Sequence, residues 1–155
     1  MANNIYDIAK QGFLTGVSIG GTETQINWVN DDFSVALLDN NNPSFDRSHQ
    51  YMTEFSFSVI ARAELVTSVI ELDGTAYAET VNFTVTDNNL PDDGTIAQAL
   101  VVYRENNKGG TLDDSENVLI AYIETAENLP LILNGGDVTV QWDLSAQNTG
   151  RVFKL

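Results

Sequence analysis

No cysteine occurs in the 155 residues, which removes disulfide staples, thiolate metal ligands and thiol redox chemistry from consideration. Cations are nearly as scarce: 7 lysines and arginines face 22 carboxylates, for a formal net charge of −15. So few positive side chains cannot build a groove that tracks a phosphate backbone, and no nucleic-acid partner is expected. The single histidine, His49, stands between Ser48 and Gln50 and reads as a structural or exposed residue ahead of a short helix. No apolar stretch approaches the ~20 residues of a membrane span, so no membrane partner is expected. Met1-Ala2-Asn3-Asn4 has neither the basic nor the apolar region of a secretory signal, and none is expected. The glycine pairs at 20–21, 109–110 and 135–136 lack the spacing and the lysine of a phosphate-cradling loop and read as turn glycines.

What is present is a succession of short apolar runs separated by Asn, Asp and Gly. Val81, Phe83 and Val85 alternate with Thr80, Asn82, Thr84 and Thr86, which predicts a half-buried strand over 77–86. Ahead of it, 59–72 is rich in β-branched residues, with Val66, Val69 and Ile70 as expected core positions and Asp73-Gly74 as a hairpin turn. Leu100-Val101-Val102-Tyr103 and Leu119-Ile120-Ala121-Tyr122 are expected to pair across the polar loop 106–117. In the second of these runs, Ile120, Tyr122 and Glu124 alternate with Ala121, Ile123 and Thr125, again predicting half burial. Val138, Val140 and Trp142 repeat the pattern after Asn134-Gly135-Gly136-Asp137, a sequence suited to positive φ. Helix is expected only in short pieces, one near 5–14 capped by Asn4 and one over 46–55 with Tyr51, Met52 and Phe55 on one side.

About seven strands with regularly spaced turns predict a mainly-β chain, a single-domain β-sandwich or jelly-roll-like barrel. Residues 1–20 read as a short N-terminal helix or arm and 21–155 as the sandwich. Val152-Phe153-Lys154-Leu155 is apolar enough to dock as a strand or into a neighbouring subunit.

The run from Leu119 to Asp143, with its LIAYIET strand, LPL step and NGGDVTVQWD turn, together with the terminal VFKL, resembles a family of small virion proteins of tailed phages that decorate or stabilise the head. Ile5-Tyr6-Asp7 through Phe13-Leu14 is similar to that family's opening helix. Trp28 to Leu38, followed by Ser48-His49-Gln50-Tyr51, is similar to its first strand and the segment after it. Residues 60–80 and the acidic loop at 112–117 depart from the pattern. The resemblance implies a non-enzymatic virion structural protein, a capsid decoration or cement protein on the outer capsid surface. Its implied partners are the major capsid protein and further copies of itself in a homo-oligomer. Apolar anchors for such contacts are expected in Ile5, Tyr6, Ile8, Phe13 and Leu14, and in Val152, Phe153 and Leu155. An outward position suits the charge, because packaged DNA repels an acidic inner face. The alternatives are a tail, neck or fibre-base component, and a carbohydrate-binding β-sandwich module with Trp28 or Trp142 as its platform.

No reaction centre is expected. Asp31-Asp32, Asp92-Asp93 and Asp113-Asp114 are adjacent pairs in turn-like loops, where Asp serves the backbone. No cofactor is expected either, with calcium as the alternative: Asp87, Asn89, Asp92 and Asp93 form one oxygen-rich loop, and Asp113, Asp114 and Glu116 another. Neither has the spacing of an EF-hand.

Overall fold

Phe33–Asp39 and Ile96–Arg104 are long, largely apolar runs that pair side by side within the largest sheet. The computed structural model describes residues 3–15, 26–72, 75–81, 83–85, 90–106, 113–126, 128–140, 143–146 and 149–154. In chain order the strands are β1 (Asn3–Ile5), β2 (Phe33–Asp39), β3 (Val59–Leu65), β4 (Thr67–Leu72), β5 (Thr75–Val81), β6 (Phe83–Val85), β7 (Ile96–Arg104), β8 (Val118–Ile123), β9 (Leu131–Ile132), β10 (Val138–Val140), β11 (Asp143–Ala146) and β12 (Thr149–Lys154). One α-helix, α1 (Asp7–Thr15), and two 3₁₀ turns at Met52–Glu54 and Ser56–Ser58 complete the described elements. The architecture is mainly β and sandwich-like.

A six-stranded antiparallel sheet runs β1-β8-β7-β2-β3, with β9 continuing beside β7 beyond the end of β8. β7 and β8 pair across the 106–117 loop, as the sequence pattern predicts, with Val101 opposite Tyr122. A four-stranded sheet has the order β11-β12-β5-β4, and β6 and β10 form a two-stranded ribbon. The two faces of the large sheet follow from its registers. Tyr122, Val101, Ala36 and Arg62 share one face, beneath α1 and the 3₁₀ turns. Ala121, Val102, Val35 and Ala63 share the other. The core cluster joins both faces to Trp28, Leu90, Leu133 and Ala78 of β5, and Val138, Val140 and Val152 pack partly buried against it. Burial of this much aliphatic and aromatic surface, at roughly 25 cal/mol per Å² of apolar area, is what stabilises the domain.

Several expectations change. Residues 118–123 are not half-buried: all six side chains of β8 are buried. The strand is internal, with β1 and β7 beside it, α1 over one face and the core against the other, so its polar-facing positions disappear. The predicted strand over 77–86 is two strands, β5 and β6, which belong to different sheets. Val66 and Val69 are not core positions. They are 70% and 52% exposed, Val66 because it lies at the step from β3 to β4 and Val69 because it faces out from the last strand of its sheet. The helix expected over 46–55 is instead an Asp46-capped turn followed by the two 3₁₀ turns, with Met52 and Phe55 buried. Asn4 does not cap a helix. It sits in β1 opposite Tyr122, and α1 begins at Asp7. Residues 3–15 hold the expected short helix as α1 and pair with the sheet through β1.

Candidate functional site

The expected N-terminal anchors face mostly inward. Tyr6 and Ile8 are buried, Ile5 and Phe13 are half-buried against the core, and the Tyr6 amide donates to the Ile120 carbonyl at 3.0 Å. Leu14 alone among them is presented to solvent, at 86% exposure. Of the C-terminal anchors, Val152 packs on the core, and the backbone of Phe153 is in register with Ala78 in the four-stranded sheet; Leu155 lies outside the described residues. Tyr6 and Ile8 thus belong to the protein's own core rather than to its surface, and 149–154 docks as a strand between β11 and β5, one of the two arrangements its sequence suggests.

Two polar constructions lie over the α1 face of the large sheet. In the first, Arg62 of β3 donates from both terminal nitrogens to the Asp114 carboxylate, at 2.9 and 2.8 Å, and to the Tyr103 hydroxyl at 3.1 Å. Its guanidinium also stands 5.5 Å from the centre of the Tyr103 ring. Ser56 donates to the same carboxylate at 2.6 Å, and the Thr53 amide donates to the Asp114 carbonyl at 3.1 Å. The assembly ties β3, β7, the 3₁₀ turns and the 113–116 turn to one another. Burial pushes the Asp114 carboxyl up, but the hydrogen bonds from Arg62 and Ser56 outweigh it and hold the group below the usual carboxylate range. Bidentate pairing of this kind is among the stronger polar contacts available to a protein.

The second construction is aromatic. Tyr6 lies 5.0 Å from Phe45 and 6.5 Å from Phe55, Phe55 lies 6.0 Å from Tyr122, and His49 meets Phe55 edge-on at 5.7 Å. The Tyr122 hydroxyl donates to Asn42 at 2.9 Å, and burial, reinforced by Glu124, pushes its phenol up to about 12. Burial also raises the Tyr6 phenol far above its ordinary value. Two buried polar atoms of this cluster, the Tyr6 hydroxyl and His49 Nδ1, have no hydrogen-bond partner among the described residues. His49 is thus a packing residue of the layer over the sheet.

The remaining candidates are dispersed. Trp28 is buried against Phe33 at 4.5 Å, which removes it as a sugar platform; Trp142 lies outside the described residues. Asp93 accepts from the Thr95 amide and hydroxyl, and Asp113 from those of Ser115, so each carboxylate closes its own turn. Asp87 and Asn89 lie outside the described residues, and no group of three potential metal-ligating side chains occurs among those described. Gly16-Val17-Ser18-Ile19-Gly20 has the spacing of a nucleophile elbow. All five positions lie outside the described residues, and they follow α1, whereas an elbow needs a strand leading into its serine.

Charge completes the surface. All four cations whose side chains are described are matched with carboxylates: Lys10 and Arg47 with Asp7, Arg62 with Asp114, and Arg104 with Asp31. Apart from these pairs the described exterior is acidic, interrupted by isolated apolar side chains, among them Leu14, Phe57 and Val66, the last two each 70% exposed. No family model, curated protein or solved structure matches the chain.

Proposed function

We propose that the protein is a non-enzymatic structural component of a tailed-phage virion, a decoration or cement protein that binds the major capsid protein on the outside of the shell. The observation that carries this reading is the pairing of every described cation with a carboxylate of the same chain, which leaves an acidic exterior with discrete exposed apolar side chains. An exterior of that kind is repelled by packaged nucleic acid and adheres by shape and apolar anchoring rather than by charge. The resemblance read from the sequence at 119–143 accords with the same role. The contact is assigned to Leu14 and Phe57, since Tyr6 and Ile8 are internal. Copies bridging an icosahedral lattice follow its local symmetry, so the working form is a homo-oligomer.

The test is to incubate the purified protein with capsids that lack it and to image the particles. Occupancy over the whole shell, on the order of hundreds of copies, is the expected result. Binding at one vertex alone would transfer the protein to the neck or tail, and no binding at all would end the proposal. A folded Leu14→Ser, Phe57→Ser double variant is expected to lose occupancy.

A further inference from the structure

Asn134-Gly135 is the one Asn-Gly step in the sequence, and the structure arranges it for reaction with itself. Asn134 is exposed, at the turn between β9 and β10. Its side-chain carbonyl accepts a hydrogen bond from the Gly136 amide at 3.1 Å. That donor polarises the Cγ carbonyl and is positioned to stabilise the oxyanion formed when a nucleophile adds to it, as preorganised amides do in acyl transfer. The nucleophile is the neighbouring Gly135 nitrogen. Its N–H makes no hydrogen bond to any described residue, so no secondary-structure bond has to break before it loses its proton. Gly135 adopts φ of +82° and has no side chain to shield the approach; a Cβ there would meet Asp92 at 2.9 Å. An electrophile with its oxyanion donor, a free nucleophilic N–H and access to solvent thus come together in three consecutive residues.

We infer that Asn134 is a site of spontaneous covalent modification, converting in the folded protein to a mixture of aspartate and isoaspartate with water as the only co-reactant. Solvent hydroxide removes the Gly135 amide proton, and that nitrogen forms a bond to Asn134 Cγ. The bond from Cγ to Nδ2 then breaks, and ammonia leaves with a proton taken from water. The resulting five-membered imide is opened by water at either carbonyl, so the sum of the steps is uptake of one water and loss of one ammonia. Opening at the main-chain carbonyl routes the backbone through the side-chain carbon and lengthens the link between β9 and β10. Either product adds a negative charge next to the position where a Gly135 Cβ would meet Asp92, and three residues before Asp137.

The test is incubation of the intact folded protein at mildly alkaline pH, followed by peptide mass spectrometry with fragmentation. A gain of about 1 Da localised to residue 134 is expected, at a rate within a few-fold of that of the same chain unfolded in urea. The Asn134→Gln variant, whose longer side chain would have to close a larger ring, is expected to show no such gain at that position. Modification at 134 only in the unfolded chain, or at other asparagines first, would overturn the inference.

Discussion

Tyr6 and Tyr122 place two phenols in one aromatic cluster, but only Tyr122 has a hydroxyl partner among the described residues. Removing the oxygen should therefore have opposite consequences. Tyr6→Phe is expected to leave stability unchanged or to raise it by up to about 1 kcal/mol, and Tyr122→Phe to lower it by about 1 kcal/mol. Denaturant titration measures both, and a clear loss for Tyr6→Phe would mean that its hydroxyl is bonded. Asp114 governs the acid limb. A carboxyl held low by Arg62 and Ser56 contributes stability above its unfolded value of about 4, and that contribution is lost as pH falls through the lower folded value. Asp114→Asn should cost about 2 kcal/mol at neutral pH and flatten the decline below about pH 4. Stability curves that stay parallel down to strong acid would contradict this. The phenols act at the other end of the range. Burial raises Tyr6, Tyr103 and Tyr122, so their contribution is present below the unfolded value of about 10 and is lost as pH rises through the folded values. Absorbance titration should show these three of the 5 tyrosines ionising only as the fold opens.

Among the elements, the two 3₁₀ turns supply a direct comparison, because Phe55 and Phe57 are two residues apart and face opposite environments. Phe55 is fully buried among Tyr6, Tyr122 and His49, and Phe55→Ala should cost about 3–5 kcal/mol. Phe57 is largely exposed, and Phe57→Ala should change stability by less than about 0.5 kcal/mol. Thermal denaturation of the pair checks the placement, and similar losses would refute it. β12 lies between β11 and β5, so removing residues 149–154 would strip both neighbours of their ladder bonds. The truncated chain is expected to lose its cooperative unfolding transition, an outcome visible by circular dichroism; a truncated protein that still melts cooperatively would show the strand to be dispensable.

Considered entire, the molecule carries a large excess of negative charge over a core that is almost wholly apolar. Self-repulsion in a chain of net charge −15 opposes compaction, and salt relieves it. Raising ionic strength from about 0.01 to about 0.15 M shortens the screening length from roughly 30 to 8 Å, so Tm should climb over that range. A Tm that is flat or falling with sodium chloride would mean that the paired cations already compensate the surface. Capsid binding, if apolar as proposed, should then survive physiological salt, since its driving force is burial of area.

Much of the β architecture is legible in the chain because side-chain patterning is a local property: β8 and β10 stand where the alternation places them, and β7 where its apolar run does. Turn chemistry is local as well, and Gly135 takes the positive φ that its neighbours in sequence suggest. Partnership between strands is not local. Nothing in 77–86 marks the change of sheet between β5 and β6, because alternation continues through it unbroken. Nor does 118–123 disclose that its second face is covered, because that cover comes from α1 more than a hundred residues earlier. The N-terminal apolar residues look the same in sequence whether they await a partner or fill their own core. Composition determined a disulfide-free, acidic protein and local patterning its β class; which apolar side chains remain available to another molecule was decided only when distant segments competed for the same buried surface.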